Sequence, residues 1–234
     1  MVPVCGCLSA EVDLFAALVI GAIGIDALRH VTHRRQLVLA VIPITLAFHQ
    51  LTEVGVWWSL GGKIPETIGS VSIWLYLAVA FVVVPIVIPL GVRNVESDRR
   101  RRRWMIPFLA GGVVVAVILA AALVILPVRA AIGAYYIEYG VGNTDYPVLG
   151  ALYLGAVAAP LMMSSHRPFV WMGVANLFLV GGLAYLQRNG VISLWCLAAA
   201  LQSVVIAHYL RVESGDAWKL PDRLRSLFAP SRAG

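Results

Sequence analysis

The chain has 234 residues, of which 60% are hydrophobic and 13% charged, where an average globular chain is about a quarter charged. With a mean hydropathy of +0.86, this composition excludes an ordinary soluble domain. The net charge of +6 lies in loops between apolar runs, which points to the lipid bilayer as partner and not to nucleic acid.

The N-terminus lacks a basic leader and a small-residue cleavage site, so the first apolar run is expected to stay as a helix. Seven apolar segments are read, each near the roughly 20 residues a helix needs to cross a bilayer. They are Val12–Leu28, Leu37–Leu60, Ile68–Val92, Trp104–Val128, Tyr146–Met163, Phe169–Gln187 and Val191–Leu210. The predicted fold is therefore an all-α bundle of seven transmembrane helices over residues 1–212. Residues 213–234 form a tail in which Trp218, Leu220, Leu224, Leu227 and Phe228 alternate with Lys219, Arg223 and Arg225. That pattern predicts a short amphipathic helix on the inner leaflet. Pro43, Pro85, Pro89, Pro107 and Pro160 fall inside the apolar segments, and each frees a carbonyl that a neighbour must satisfy.

Loop charges test the count independently. With the N-terminus outside, fifteen Lys and Arg fall on the cytoplasmic side, and only Lys63, Arg129 and Arg188 fall outside. The positive-inside rule expects this asymmetry, and adding or dropping one helix would scramble it. The C-terminus is then cytoplasmic. The run Arg99, Arg100, Arg101, Arg102 and Arg103 suits anionic lipid headgroups at the inner surface. The outer loop Arg129–Asp145 carries Tyr135, Tyr136, Glu138 and Tyr139, which fit an interfacial belt or a lid.

The second segment holds His49, Gln50 and Glu53 within about one and a half turns. A charged side chain in hydrocarbon costs roughly 2.5–3.5 kcal/mol on insertion scales, so these groups are expected to face protein or water. His49 and Glu53 stand four apart on one helical face. Counting depth at about 1.5 Å per residue places Tyr76, Tyr153, Asn176, Trp195, Cys196 and Gln202 at or above the level of His49. A polar cluster at and above the midplane is therefore expected, opening to the outside. Asn176 and Gln202 also suit plain interhelical hydrogen bonding, and a His–Glu pair can simply neutralise itself.

Several classes are excluded. A retinal protein needs a lysine inside a helix, and Lys63 and Lys219 lie in a loop and the tail. A zinc site at His49 and Glu53 would lack a second imidazole, because His30, His33, His166 and His208 all fall toward the cytoplasmic side; no metal site is expected. A haem held by two histidines fails for the same reason. Cys5, Cys7 and Cys196 are too few for a disulfide framework. Cys7 and Cys196 fall at the same outer end, where they can pack together or pair in an oxidising compartment.

Three stretches carry a resemblance. Cys7-Leu8-Ser9-Ala10 is similar to a Cys-Phe-Ser-Ala opening. His49-Gln50-Leu51-Thr52-Glu53 followed by Trp57 resembles Gln-Gln-x-x-Glu-Gly-x-x-Trp, with His49 for the first Gln and Val54 for the Gly. Ser193-Leu194-Trp195-Cys196-Leu197-Ala198-Ala199-Ala200 matches Ser-x-Trp-Cys-x-x-Ala-Ala, and Ser164-Ser165-His166-Arg167, Gly173, Asn176 and Ser203 also agree. These are motifs of a bacterial family of seven-helix integral membrane proteins of unknown function. The resemblance implies a place in the bacterial inner membrane and picks out Glu53, Trp57, Trp195, Cys196 and Ser203. It moves weight from His49 to Glu53, since the family pattern has an amide at the first position. The expected function is a binding or sensing bundle for a small hydrophobic molecule or lipid, with His49, Gln50, Glu53, Trp57, Tyr76, Asn176, Trp195, Cys196 and Gln202 around it. The alternatives are an intramembrane lipid-modifying enzyme using Glu53 with His49 or Cys196, and a transporter or scaffold subunit.

Overall fold

The computed structural model describes residues 9–133, 136–142, 147–186 and 191–216. Cys5, Cys7 and the tail beyond Asp216 lie outside the described residues, and with them the amphipathic helix and any Cys7–Cys196 pair.

Helix α1 (Ala10–Arg29) and helix α2 (Leu37–Leu60) form an antiparallel hairpin. Its turn is held by Gln36, whose Oε1 accepts from the Thr32 and His33 amides at 2.8 and 3.0 Å and from the Thr32 hydroxyl at 3.1 Å. The third rod is α3 (Glu66–Ala78), a π-helical turn over Val79–Val83, and α4 (Val84–Val95). The turn widens just before Pro85, which has no N–H to donate. The Ala80 carbonyl inside it takes the Tyr153 hydroxyl at 2.5 Å. A neighbouring helix thus satisfies a carbonyl of the irregular turn, as hydrocarbon surroundings demand.

The fourth rod is α5 (Arg99–Trp104) and α6 (Ile106–Ile125), broken at Met105 ahead of Pro107. Strands β1 (Val128–Ile132) and β2 (Ile137–Val141) then form an antiparallel hairpin in the register Val128 to Val141 and Ile132 to Ile137. Helices α7 (Pro147–Met163) and α8 (Arg167–Leu186) follow. The last rod is α9 (Val191–Leu201) and α10 (Ser203–Glu213), broken at Gln202.

Over the described residues the architecture is an all-α bundle of seven helical rods with one small hairpin at an end. Four rods, over Arg34–Leu60, Glu66–Val95, Arg99–Ile125 and Ser193–Glu213, are long and apolar enough to cross a membrane. Their neighbours α7 and α8 are apolar and shorter in the hydrophobic stretch. Large apolar side chains cover the outside: Phe15, Val124, Ile125 and Phe178 are each at least 70% exposed. A soluble fold would not spread so much apolar surface outward. The molecule is a multi-pass, membrane-embedded bundle.

The predicted second segment coincides with α2. The fourth starts earlier than predicted and ends sooner. Asp98 caps the arginine run by accepting from the Arg100 and Arg101 amides at 2.7 and 3.3 Å, so the run is helix instead of loop. At the other end the chain leaves the helix at Leu126 and enters β1.

Helix α2 is the centre, packed against α1, α3, α4, α9 and α10. At the arginine-rich end, Arg211 of α10 grips Asp26 of α1, with Nε to Oδ2 at 2.7 Å and a second contact from Nη2 to Oδ1. Arg101 Nη1 reaches the Met163 and Ser164 carbonyls at the end of α7, at 3.0 and 3.2 Å. Glu96 is buried there, accepting from the Ser165 amide and hydroxyl at 2.7 Å each, the Asp98 amide at 3.0 Å and the Ser164 hydroxyl at 3.2 Å.

Candidate functional site

The hairpin end of the bundle holds a polar cluster built on α2. Gln50, Glu53 and Trp57 follow at intervals of three and four, so they share one helical face. Helix α1 meets this face with Asp13, which the sequence reading did not single out. The Trp57 indole N–H donates to Asp13 Oδ2 at 2.8 Å, and the Gln50 amide donates to Asp13 Oδ1 at 3.4 Å. Gripped by residues one turn above and one turn below Glu53, the Asp13 carboxylate is brought to the same face, and the two interact electrostatically. Both are buried, at 4% and 1% exposure. Among the described ion pairs, none involves either carboxylate.

A stack of rings rises beside them. His49 lies 3.9 Å from Tyr76 between ring centroids, and Tyr76 lies 4.5 Å from Tyr139 of β2, with the planes within 16° and 15° of parallel. The Tyr139 hydroxyl reaches Glu53 Oε1 at 3.4 Å. Burial, followed by the Glu53 charge, pushes that phenol well above its ordinary pKa, so it stays protonated as a donor. The hairpin therefore closes over Glu53. The expected outward opening is covered in this structure, because β2 lays Tyr139 across it. Tyr76 and Ser193 also approach the Glu53 carboxylate, although the buried Tyr76 hydroxyl completes no hydrogen bond. Both ring nitrogens of the fully buried His49 are likewise without a partner. His49 and Glu53 share a face but are not bonded to each other.

Deeper in the bundle lies a second polar group. Trp195 Nε1 donates to Asn176 Oδ1 at 2.7 Å, and Asn176 Nδ2 donates to Gln202 Oε1 at 2.8 Å and to the Met172 carbonyl at 2.9 Å. The break at Gln202 places its side chain at the junction of α9 and α10, where it meets Asn176. These three residues line a cavity of about 40 Å³, together with Cys196, Tyr153 and apolar side chains of α2, α4, α7, α8 and α10. Tyr153 stands edge-on to Trp195, 5.4 Å away. Cys196 also interacts with Glu53 and Tyr76, so it stands between the cavity and the carboxylate cluster.

The expected set thus divides. Asn176, Trp195, Cys196 and Gln202 line the cavity, whereas His49, Gln50, Glu53, Trp57 and Tyr76 belong to the closed cluster under the hairpin. Asp13 was legible as a carboxylate one residue inside the first apolar segment. In the first turn of α1 a carboxylate also suits the helix dipole, so nothing local marks it for the site. Tyr139 was legible only as one of several aromatic residues in an outer loop that fits an interfacial belt or a lid. Among the described residues, no group of three or more His, Cys, Asp or Glu side chains converges as a metal centre.

Fold and site together define a membrane-embedded helical bundle with a buried polar interior. The chain belongs to DUF6629, a family of unknown function whose model matches residues 6–220. Neither a curated protein nor a solved structure matches it.

Proposed function

We propose that this protein is a binding or sensing bundle of the bacterial cytoplasmic membrane, which it crosses seven times with the N-terminus outside. Its ligand is the end of an acyl chain or another small apolar molecule carrying one hydrogen-bond acceptor. The cavity carries this reading. Its walls are apolar, and its polar groups are gathered at one side. Asn176 has both ends of its amide engaged, and Gln202 Oε1 is taken by Asn176. The Gln202 Nε2 group is left to meet a ligand. At about 40 Å³ the cavity admits several water-sized groups, more than the roughly 10–15 Å³ that one water needs. Cavities with largely apolar walls take up apolar guests.

Ala199 lines the cavity, and a phenyl ring there would fill it. Wild-type protein purified in mild detergent is expected to carry a small apolar ligand detectable by native mass spectrometry. Ala199→Phe is expected to lose it while keeping a cooperative thermal transition. Equal occupancy in both would remove the cavity as the site.

The topology supports a second measurement. Arg34 and Arg35 crowd one end, with Arg211 and the exposed Arg99, Arg100 and Arg103, in the arrangement that anionic headgroups of an inner leaflet attract. A cysteine at Gly62 is expected to react with a membrane-impermeant thiol reagent on intact cells, and one at Arg34 only after lysis. The reverse pattern would invert the orientation.

A further inference from the structure

We propose that Asp13, Glu53, Gln50 and Tyr76 form a binding site for one hard divalent cation, closed over by Tyr139. It is separate from the cavity reading and stands or falls independently of it.

The first observation is a buried carboxyl pair without a cationic partner. Two carboxylates from different helices are held together and buried, and no lysine or arginine pairs with either among the described residues. The one imidazole nearby, His49, contacts the cluster through its stacked face on Tyr76 and not through a nitrogen. Trp57 N–H, Gln50 N–H and Tyr139 O–H donate to the pair, and no cationic side chain joins them among the described residues.

The second observation is independent of the acidic groups. Gln50 is fully buried, and its Oε1 accepts no hydrogen bond, although its amide nitrogen is on Asp13. Tyr76 is fully buried as well, and its hydroxyl approaches Glu53 and Cys196 without completing a well-formed hydrogen bond to either. Buried acceptor oxygens are normally satisfied, and each exception asks for a missing partner. A cation is the partner that an orphan amide oxygen, an orphan hydroxyl and two carboxylates can share.

The donor set selects the ion. The four proposed ligands all offer oxygen, which suits hard cations such as calcium and magnesium and does not favour zinc or copper. One divalent ion neutralises both carboxylates, whereas a sodium ion would leave one negative charge buried in a low-dielectric bundle. The indole of Trp57 acts as a positioning group, since it holds Asp13 Oδ2 and thereby aims the carboxylate. Tyr139 completes the enclosure from the hairpin, so uptake and release require β2 to lift.

The test uses the full-length chain in detergent, stripped with a chelator and titrated calorimetrically with calcium, magnesium and sodium chlorides. Wild type is expected to bind about one equivalent of calcium or magnesium, with sodium competing weakly if at all. Asp13→Asn and Glu53→Gln, both near-isosteric, are expected to abolish that binding. Trp57→Phe is expected to weaken it about ten- to a hundred-fold, as loss of an outer-shell partner does, with elution volume unchanged and the thermal transition still cooperative. Absence of saturable binding by wild type overturns the proposal. So does binding that survives in the Asp13→Asn, Glu53→Gln double variant. A wild type that ignores all three cations but is stabilised by mild acid would show instead that the two carboxylates share protons.

Discussion

Gly112→Ala is expected to destabilise the bundle by about 3 kcal/mol, the upper part of the usual range for overpacking. The same change at Gly111 is expected to be neutral or to stabilise by up to about 1 kcal/mol. The two glycines are adjacent in α6 but face different surroundings. A Cβ on Gly112 would fall on the carbonyl oxygen of Pro85 in α4, which is backbone and has no rotamer to give. The same atom would also come within 3.5 Å of the Ala156 methyl on α7. Gly112 is the point at which three helices touch, and a side chain there forces them apart. A Cβ on Gly111 meets nothing within 4 Å, so only the helix-propensity gain of alanine remains. Thermal unfolding of both variants in the same detergent checks the contrast. Equal transitions for the pair would show that α4 and α6 do not meet at Gly112.

Glu96→Ala is expected to cost about 3–5 kcal/mol, and Glu96→Gln somewhat less. Glu96 gathers two amides and two hydroxyls at the junction of α4, the arginine helix and the α7–α8 turn. Hydrogen bonds to a charged group are worth roughly 1.5–3 kcal/mol each, and removing the acceptor strands buried donors as well. Burial by itself would raise the carboxyl pKa. The Ser165 hydroxyl and amide, the Asp98 amide and the His166 charge outweigh it, and the folded value lies below the ordinary glutamate value. The sign of the pH effect follows. A carboxylate whose pKa is depressed on folding contributes fully above its unfolded pKa, and the contribution is lost as the pH falls through the folded value. Wild type should therefore lose stability on acidification below the usual glutamate range. Glu96→Gln should show a flatter profile over the same interval. Parallel profiles would mean that Glu96 is not charged in the folded bundle.

Much of the architecture was legible before any coordinates. Hydrocarbon leaves the chain no choice but to satisfy its backbone within each span, so runs near 20 apolar residues announce helices by composition alone. The predicted Leu37–Leu60 and the observed α2 agree residue for residue for that reason. The depth of side chains was also legible, because helical rise is constant, and Tyr76 and Cys196 both lie within electrostatic reach of Glu53. That arithmetic is silent about rotation around each axis. Hydrophobicity is almost uniform around a membrane helix, so no apolar stripe marks its inner face.

Rotation and loop folding were decided by tertiary structure. Asp13 became half of a carboxylate pair only because α1 turns it toward Gln50 and Trp57, a pairing across 37 and 44 residues of sequence. The hairpin of β1 and β2 gave Tyr139 a place on Tyr76 and Glu53 that no local pattern implied. The break at Gln202 occurs without a proline, where packing against Asn176 outweighs helical continuity. The sequence by itself determined the apolar helical rods and the carboxylate Glu53 inside the second of them. Only the packed structure decided what that carboxylate faces: a second carboxylate, a closed lid, and two buried oxygens with nothing to bind. The physical reason is that composition specifies solvent preference for each segment, whereas the partner of a buried polar group depends on how neighbouring helices are rotated.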